Sequence, residues 1–138
     1  YLGDDAATAE AFVDGWHRTL DAGRIVDGRL EVLGRLDDVV QVGGVNVAVT
    51  AVEDVLAPLC DGAVVLADPD DRWGARLTAY VVQPGTGAAA ADVDVLGAAV
   101  AAQLGRAAVP RVWVRLDAVP LLPNGKPDRA ALRSLPPA

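Results

Sequence analysis

Hydrophobic and polar positions along the chain predict a series of short amphipathic elements from residue 37 onward. DDVVQV alternates as a short strand, which Gly43 and Gly44 end. Thr50 and Glu53 have the spacing of a capping box, which opens an apolar-periodic helix to about Leu59. The later segments predict strands at 63–67 and 75–83 joined by DPDDRWG, a low-complexity surface loop in PGTGAAAAD, a helix at 92–104 ended by Gly105, a strand at 111–116 and a helix at 128–135. The order strand, helix, strand, strand, helix, strand, helix predicts a small α+β fold with a short β-sheet flanked by helices.

The residues that precede this sheet predict a β-hairpin. Apolar-alternating runs in GWHRTLDAGRI and IVDGRLEVLGR flank Asp27-Gly28, a dipeptide that favours the tight turn of a hairpin. The pattern changes after Gly34. The chain therefore divides into an N-terminal part with a hairpin and a C-terminal part with the sheet.

Composition excludes several classes of function. The 138 residues are 52% hydrophobic and 22% charged, which is enough apolar material for a core. The net charge of -7 argues against nonspecific nucleic-acid binding, which needs a basic face. Cys60 is the only cysteine, so an intramolecular disulfide and a multi-cysteine metal site are excluded, and a reducing, cytoplasmic compartment is expected. No cluster of histidine, cysteine and carboxylate residues has the spacing of a metal site.

Neither end of the sequence suggests a membrane or secretion signal. No apolar run approaches the roughly 20 residues of a membrane span. The start, YLGDDAATAE, has no basic region, no apolar signal core and no initiator methionine. We therefore expect the chain to be a piece of a longer protein.

The loop LLPNGKPDR places one lysine on a restricted turn just before the last helix. Asn124 and Gly125 tolerate positive φ, and Pro123 and Pro127 limit the freedom of the loop on both sides. Such a turn lifts Lys126 off the body of the domain, where a compact cation suits charge that develops on phosphate or carboxylate oxygens. By itself, the loop favours the simpler explanation of a solvated turn lysine.

Three sequence motifs, of which this lysine-bearing loop is the last, occur in an order that resembles a known family. GWHRTLDAG, then GRLDDVVQVGG, then PLLPNGKPDR resemble the C-terminal end of the adenylate-forming enzyme superfamily, which contains acyl- and aryl-CoA ligases, peptide synthetase adenylation domains and luciferases. The resemblance covers nearly the whole chain. It implies that residues 1–36 are the tail of a large N-terminal domain and that residues 37–138 are the mobile C-terminal subdomain.

The resemblance also implies roles for individual residues. Asp21 falls where the family has an aspartate that binds the ribose hydroxyls of ATP, and Arg35 where it has an arginine near the ribose and phosphate. Asp37 matches the hinge of the small domain. Gly43 and Gly44 match a loop that approaches the pantetheine tunnel for thioester formation.

Lys126 then matches the adenylation lysine, which bridges the substrate carboxylate and the α-phosphate region of ATP. The family aligns a common glutamate with Glu53, to which we assign no chemistry because the capping box explains it. Leu20 replaces a usual glycine, and Gln41 replaces a lysine of many relatives.

The implied activity is a two-step ligase reaction. A carboxylate attacks ATP-Mg²⁺ to give an acyl-adenylate, the small domain rotates about Asp37, and a thiol, expected to be coenzyme A, takes the acyl group. RLDDVVQVGGVNV and the alanine-rich tail look most like the o-succinylbenzoate–CoA ligases of menaquinone biosynthesis. The alternatives are a fatty-acyl or aryl-CoA ligase, a peptide synthetase adenylation domain, and a non-catalytic interaction module with the same fold, which Leu20 and Gln41 favour.

The remaining candidate residues have structural explanations. His17 has no evident nucleophile partner and is expected to be a packing or surface residue. Trp16, Trp73 and Trp113 are expected in core or inter-domain packing. Cys60 follows an apolar helix and is expected to be buried.

Overall fold

The computed structural model describes residue 3, residues 5–82 and residues 92–135. The chain divides into two compact units, Tyr1–Asp37 and Asp38–Ala138. Residues 84–91, which make up all but the last residue of the loop predicted in PGTGAAAAD, lie outside the described residues. No described helix has the length and apolar character that crossing a membrane requires.

The first unit contains a short helix and two antiparallel strand pairs. Its elements are α1 (Asp5–Ala11), β1 (Phe12–Val13), β2 (Trp16–His17), β3 (Asp21–Val26) and β4 (Arg29–Arg35). The predicted hairpin is confirmed, since Val26 pairs with Arg29 around Asp27 (φ 51°) and Gly28 (φ 76°). None of the described side chains of this unit is buried.

The second unit is a mixed sheet with helices on both faces. It begins in the 3-10 turn Leu36–Asp38, which crosses the boundary between the units, and its elements are β5 (Val39–Val42), β6 (Val45–Ala48), α2 (Val49–Leu56), β7 (Gly62–Asp70), β8 (Gly74–Val82), α3 (Val93–Leu104), the 3-10 turn Arg106–Ala108, β9 (Val112–Leu116) and α4 (Arg129–Arg133). The order of the described strands is β6-β5-β8-β7, and β9 pairs with β8 in parallel. The predicted α+β class is confirmed.

Alternating side chains of β7 and β8 bury both faces of the sheet. Val65, Leu77 and Ala79 belong to the larger core, which α2 and α3 cover. Val64 and Tyr80 belong to a smaller core on the other face, which α4 closes with Leu132. This two-sided burial is the reason that residues 63–67 form a continuous apolar run.

Strand β6 is the main element that the sequence pattern does not predict. Gly43 and Gly44 both have positive φ and connect β5 to β6 as a two-residue hairpin turn, with Val42 opposite Val45. They therefore do not end the strand structure, as predicted, but reverse it. The connection between β7 and β8 is also shorter than predicted, because β7 continues to Asp70 and β8 already begins at Gly74.

The predicted capping box at Thr50 and Glu53 is wrong. Helix α2 begins at Val49 after Ala48, which makes no side-chain capping bond, and it ends at Leu56 rather than near Leu59. The carboxylate of Glu53 instead accepts a hydrogen bond from the backbone N–H of Val65. Tertiary structure thus uses Glu53 to join α2 to β7.

Candidate functional site

Lys126 lies on a small ordered hairpin that we call the lysine loop (residues 121–127). The N–H of Leu122 donates to the carbonyl oxygen of Lys126 at 2.7 Å, and the N–H of Gly125 donates back to that of Leu122 at 2.9 Å. Gly125 has a φ of 80°, and Asn124 Oδ1 accepts from the N–H of Lys126 at 3.1 Å. The Lys126 side chain is exposed, and it is the only lysine of the chain. The turn therefore presents one ammonium group to solvent.

The base of the lysine loop is joined to the start of α4. The N–H of Asp128 donates to the carbonyl oxygen of Pro120 at 2.8 Å. The carboxylate of Asp128 accepts from the N–H groups of Ala130 and Ala131, so it caps α4. Leu132 anchors the same helix in the core with no exposed surface. The loop is thus closed between β9 and an anchored helix.

Glu53 connects this helix to α2 and β7. Its Oε1 lies 2.8 Å from the backbone nitrogen of Val65 and 3.7 Å from Nη2 of Arg129, the first residue of α4. Burial is the largest influence on this carboxyl and raises its pKa, although the Val65 N–H and Arg129 lower it. No sequence signal showed this link, because its members are far apart along the chain.

The glycine turn (Gly43 and Gly44) packs against Trp73. The N–H of Gly43 donates to the carbonyl oxygen of Trp73 at 2.8 Å. A Cβ on Gly43 would lie 3.0 Å from Cε3 of that indole, whereas a Cβ on Gly44 would meet no atom within 4 Å. A side chain at 43 would therefore crowd the indole, which would have to shift by a few tenths of an ångström, whereas Gly44 leaves an open backbone beside it.

Two arginine side chains lie over the ring of Trp73, next to the glycine turn. The guanidinium carbon of Arg111 lies 4.4 Å from the ring centroid and that of Arg72 lies 5.3 Å from it. A cavity of about 260 Å³, which we call the arginine pocket, opens there. Its lining residues are Val42, Gly43, Trp73, Arg106, Ala107, Val109 and Arg111. Guanidinium groups bind phosphates, so the pocket suits an anionic ligand.

Trp73 was expected in core or inter-domain packing, and no sequence motif gives these arginines a role. Trp73 lies in the connection between β7 and β8, and Arg111 lies just before β9. The parallel pairing of β8 with β9 brings these distant segments together. The only local sequence signal for the arginine pocket is the pairing of a basic with an aromatic residue at 72–73.

The glycine turn and the segment that leads to the lysine loop lie at opposite ends of β8. Val42, just before the glycine turn, pairs with Gly74 at the start of the strand. Leu116, just before the segment that leads to the lysine loop, pairs with Val82 at its end. Nine residues of strand separate these ends by about 26 Å. The structure therefore brings Lys126 and Gly43-Gly44 into one unit but not into one site.

In the first unit, Asp21 and Arg35 face each other. They are cross-strand partners in the hairpin, and Arg35 Nη1 lies 3.8 Å from Asp21 Oδ1. Both side chains are about half exposed, so this pair contributes little to stability. Asp37 lies in the 3-10 turn Leu36–Asp38 at the boundary between the two units.

The other sequence candidates occupy structural positions. His17 is exposed and stacks on Phe12 at a centroid distance of 5.0 Å. Trp113 is half-buried against the larger core, and Cys60 is buried as expected. Trp16 is 81% exposed, so its expected place in a core is wrong, and the inter-domain alternative stays a prediction. Among the described residues, no group of histidine, cysteine and carboxylate side chains could hold a metal ion.

Comparison with known proteins places this arrangement in a family. Residues 47–126 match the family described as AMP-binding enzyme C-terminal domain, and the chain belongs to this family. The chain is 38% identical to tyrocidine synthase 2 of Brevibacillus parabrevis over 91% of its own length and 4% of that protein. It is 36% identical to a medium/long-chain-fatty-acid–CoA ligase of Mycobacterium tuberculosis over 92% of its length and 24% of that protein.

A solved structure gives the same result. The o-succinylbenzoate CoA synthetase of Bacillus subtilis, in complex with its acyl-adenylate intermediate, matches with a TM-score of 0.81 and 28% identity, over 100% of this chain and 28% of that one. The chain therefore spans less than a third of the length of these relatives.

Proposed function

We propose that this chain is the C-terminal portion of an ATP-dependent acid–CoA ligase. Residues 1–36 would be the tail of the large N-terminal domain, and residues 37–138 the mobile subdomain. The observation that carries the proposal is the exposed Lys126 on an ordered loop, whose leading segment starts at the opposite end of β8 from the glycine turn. Family membership supports it.

In the first half-reaction, a substrate carboxylate attacks the α-phosphate of ATP and pyrophosphate leaves. Lys126 would contact both the carboxylate and the α-phosphate oxygens, where negative charge gathers in the transition state. A compact ammonium with three donors can serve two oxygens at once. Asp21 would accept hydrogen bonds from the ribose hydroxyls, and Arg35, which already lies beside it, would approach the ribose and phosphate.

In the second half-reaction, the thiol of coenzyme A attacks the acyl-adenylate, and AMP leaves. The two ends of β8 cannot reach one catalytic centre together, because they are about 26 Å apart. A rotation of the subdomain about Asp37 would withdraw Lys126 and bring in Gly43 and Gly44.

The arginine pocket supports a phosphorylated thiol as the acceptor. It opens directly beside Gly43, and it combines Arg106 and Arg111 with the indole of Trp73. A phosphate-bearing acceptor would bind to these guanidinium groups while its pantetheine arm passes the glycine turn. The bare backbone at Gly44 leaves space for that arm.

Both half-reactions need the N-terminal domain as partner. Mg²⁺ accompanies ATP in this chemistry, and we expect the N-terminal domain to supply most of its ligands. We therefore expect the 138-residue chain to be inactive by itself.

The acid substrate that we propose first is o-succinylbenzoate, because of the run RLDDVVQVGGVNV and the match to the Bacillus subtilis synthetase. Fatty acids and aryl acids are the nearest alternatives, and the Mycobacterium tuberculosis relative, a medium/long-chain-fatty-acid–CoA ligase, is in keeping with the fatty acids. A second candidate function is a peptide synthetase adenylation domain, which passes its acyl group to a carrier-protein thiol. The 38% identity to tyrocidine synthase 2 favours that candidate.

The test is an assay of the intact parent protein. Pyrophosphate release is measured with o-succinylbenzoate, fatty acids, aryl acids and amino acids, and thioester formation is measured with coenzyme A and with a phosphopantetheinyl carrier protein. The proposal expects acid-dependent pyrophosphate release and transfer to coenzyme A. Transfer to the carrier protein alone would favour the second candidate. Absence of pyrophosphate release with every acid would favour a non-catalytic module.

A further inference from the structure

The carboxylate of Glu53 joins three elements next to the lysine loop. It projects from α2, accepts the N–H of Val65 on β7 at 2.8 Å, and lies 3.7 Å from the guanidinium group of Arg129 at the start of α4. Arg129 follows Lys126 by three residues. We propose that the Glu53–Arg129 pair is a positioning device, which sets where the ammonium group of Lys126 points during adenylation. This inference rests on the proposed function of Lys126.

The ion pair adds a side-chain tether to a loop that is otherwise held by its backbone. The backbone bonds of the loop join Leu122 to Lys126, Gly125 to Leu122 and Asp128 to Pro120. The loop leaves the body of the unit between Pro120 and Asp128. Arg129 is the next residue, and its ion pair connects this point to α2 and β7.

The charge on Glu53 is better explained by this local role than by overall stability. The side chain is only 22% exposed, and burial raises its pKa. The carboxylates of Asp38 and Asp54 also raise it, whereas the Val65 N–H and Arg129 lower it. A glutamine would accept the same Val65 hydrogen bond without the desolvation cost. The negative charge therefore serves the guanidinium group of Arg129.

A second ion pair on the same helix provides a matched control. Arg133, the last residue of α4, places its Nε 3.2 Å from Oδ1 of Asp68 on β7. This pair also ties α4 to the sheet, but it lies at the end of the helix away from Lys126. Glu53→Gln and Asp68→Asn each remove one carboxylate charge and nearly preserve shape.

The first measurement is hydrogen exchange in the 138-residue chain. For Glu53→Gln we expect the amides of Leu122, Gly125, Lys126 and Asp128 to exchange about fivefold faster, the scale of a lost, partly exposed ion pair. Asp68→Asn should leave the exchange rates of these amides within about twofold of those in the unsubstituted chain. The midpoint of urea unfolding should not fall in Glu53→Gln.

Arg129→Met should produce the same local effect as Glu53→Gln, and the double variant should add nothing to either one. Unchanged loop exchange in Glu53→Gln, or an equal change in Asp68→Asn, would overturn the positioning role. This outcome does not depend on any catalytic activity.

The second measurement uses the intact parent enzyme. Glu53→Gln should slow adenylate formation about fivefold, with the reaction of preformed adenylate and coenzyme A unchanged. Asp68→Asn should keep the parent rate of both steps. A loosened loop with an unchanged adenylation rate would refute the positioning role. If instead Lys126→Ala left adenylation intact, the proposed function of the loop would itself be wrong.

Discussion

In the intact ligase that we propose, replacing Lys126 by alanine is expected to slow adenylate formation strongly. The side chain is exposed on an ordered loop whose backbone bonds do not involve the ammonium group, so the substitution should leave the fold unchanged. A cation about 4 Å from an oxyanion in a partly desolvated site is worth about 4 kcal/mol gross. If that contact is made only in the transition state, its loss slows the step roughly a thousandfold. Desolvation of the ammonium group on docking reduces this figure, so we expect a loss of about a hundredfold to a thousandfold.

The assay separates the two half-reactions. Acid-dependent pyrophosphate release measures adenylate formation, and the reaction of preformed adenylate with coenzyme A should keep its parent rate. Lys126→Arg should recover part of the rate, because it keeps the charge but changes the compact donor to a planar one. Arg115→Ala removes a charge from the exposed position of β9 and serves as the control for net charge. Adenylation at the parent rate in Lys126→Ala would refute the assignment.

Three further predictions concern the boundary, the glycine turn and Glu53. Asp37→Pro should restrict the turn between the two units and slow one half-reaction more than the other. Stopped-flow assays measure the rate of each half-reaction, and an equal loss of rate in both would contradict a hinge at Asp37. Gly43→Ala should lower the melting temperature more than Gly44→Ala. Both positions have positive φ, but only a Cβ at 43 would lie 3.0 Å from the indole of Trp73. Equal melting temperatures for the two variants would show that the indole moves away. Because burial raises the pKa of Glu53 above its ordinary 4.5, the folded chain binds that proton more tightly, and this residue's contribution to stability should fall as pH rises from 4.5 through the raised pKa. Urea unfolding between pH 4 and about 7 should therefore show a flatter profile for Glu53→Gln, and an unchanged slope would be inconsistent with the raised pKa.

Local chemistry explains the elements that were predicted correctly. Asp92 caps α3 by accepting from the N–H of Asp94, and Gly105 ends that helix with a φ of 87°. Asp27-Gly28 forms the predicted hairpin turn. In each case the residues that decide the conformation are neighbours in sequence, so a pattern of a few positions is sufficient.

Long-range contacts explain the failures. Glu53 has the spacing of a capping residue, but the partners that it finds are Val65 and Arg129, which the folding of β7 and α4 brings to it. Gly43-Gly44 was interpreted as the end of a strand, although VNVA alternates and pairs with β5. A strand of four residues is recognised only with its partner, since its hydrogen bonds are all made outside itself.

The candidate site divides in the same way. Its individual parts, which are Lys126 and the pair Gly43-Gly44, were named from the motifs that resemble the adenylate-forming family, and the turn chemistry around Lys126 is local. Three features of the site were not predicted from the sequence. They are the separation of these parts along β8, the packing of the arginine pocket on Trp73, and the ion pair between Glu53 and Arg129.

Sequence alone thus determined the α+β class, the turns at Asp27-Gly28 and Asn124-Gly125, and the identity of the cation that is presented to solvent. Tertiary structure decided which end of the sheet each segment occupies, and which side chain holds the lysine loop in place. The physical reason is that turns depend on φ preferences of adjacent residues, whereas strand pairing and partly buried ion pairs depend on residues that meet only after the chain has folded.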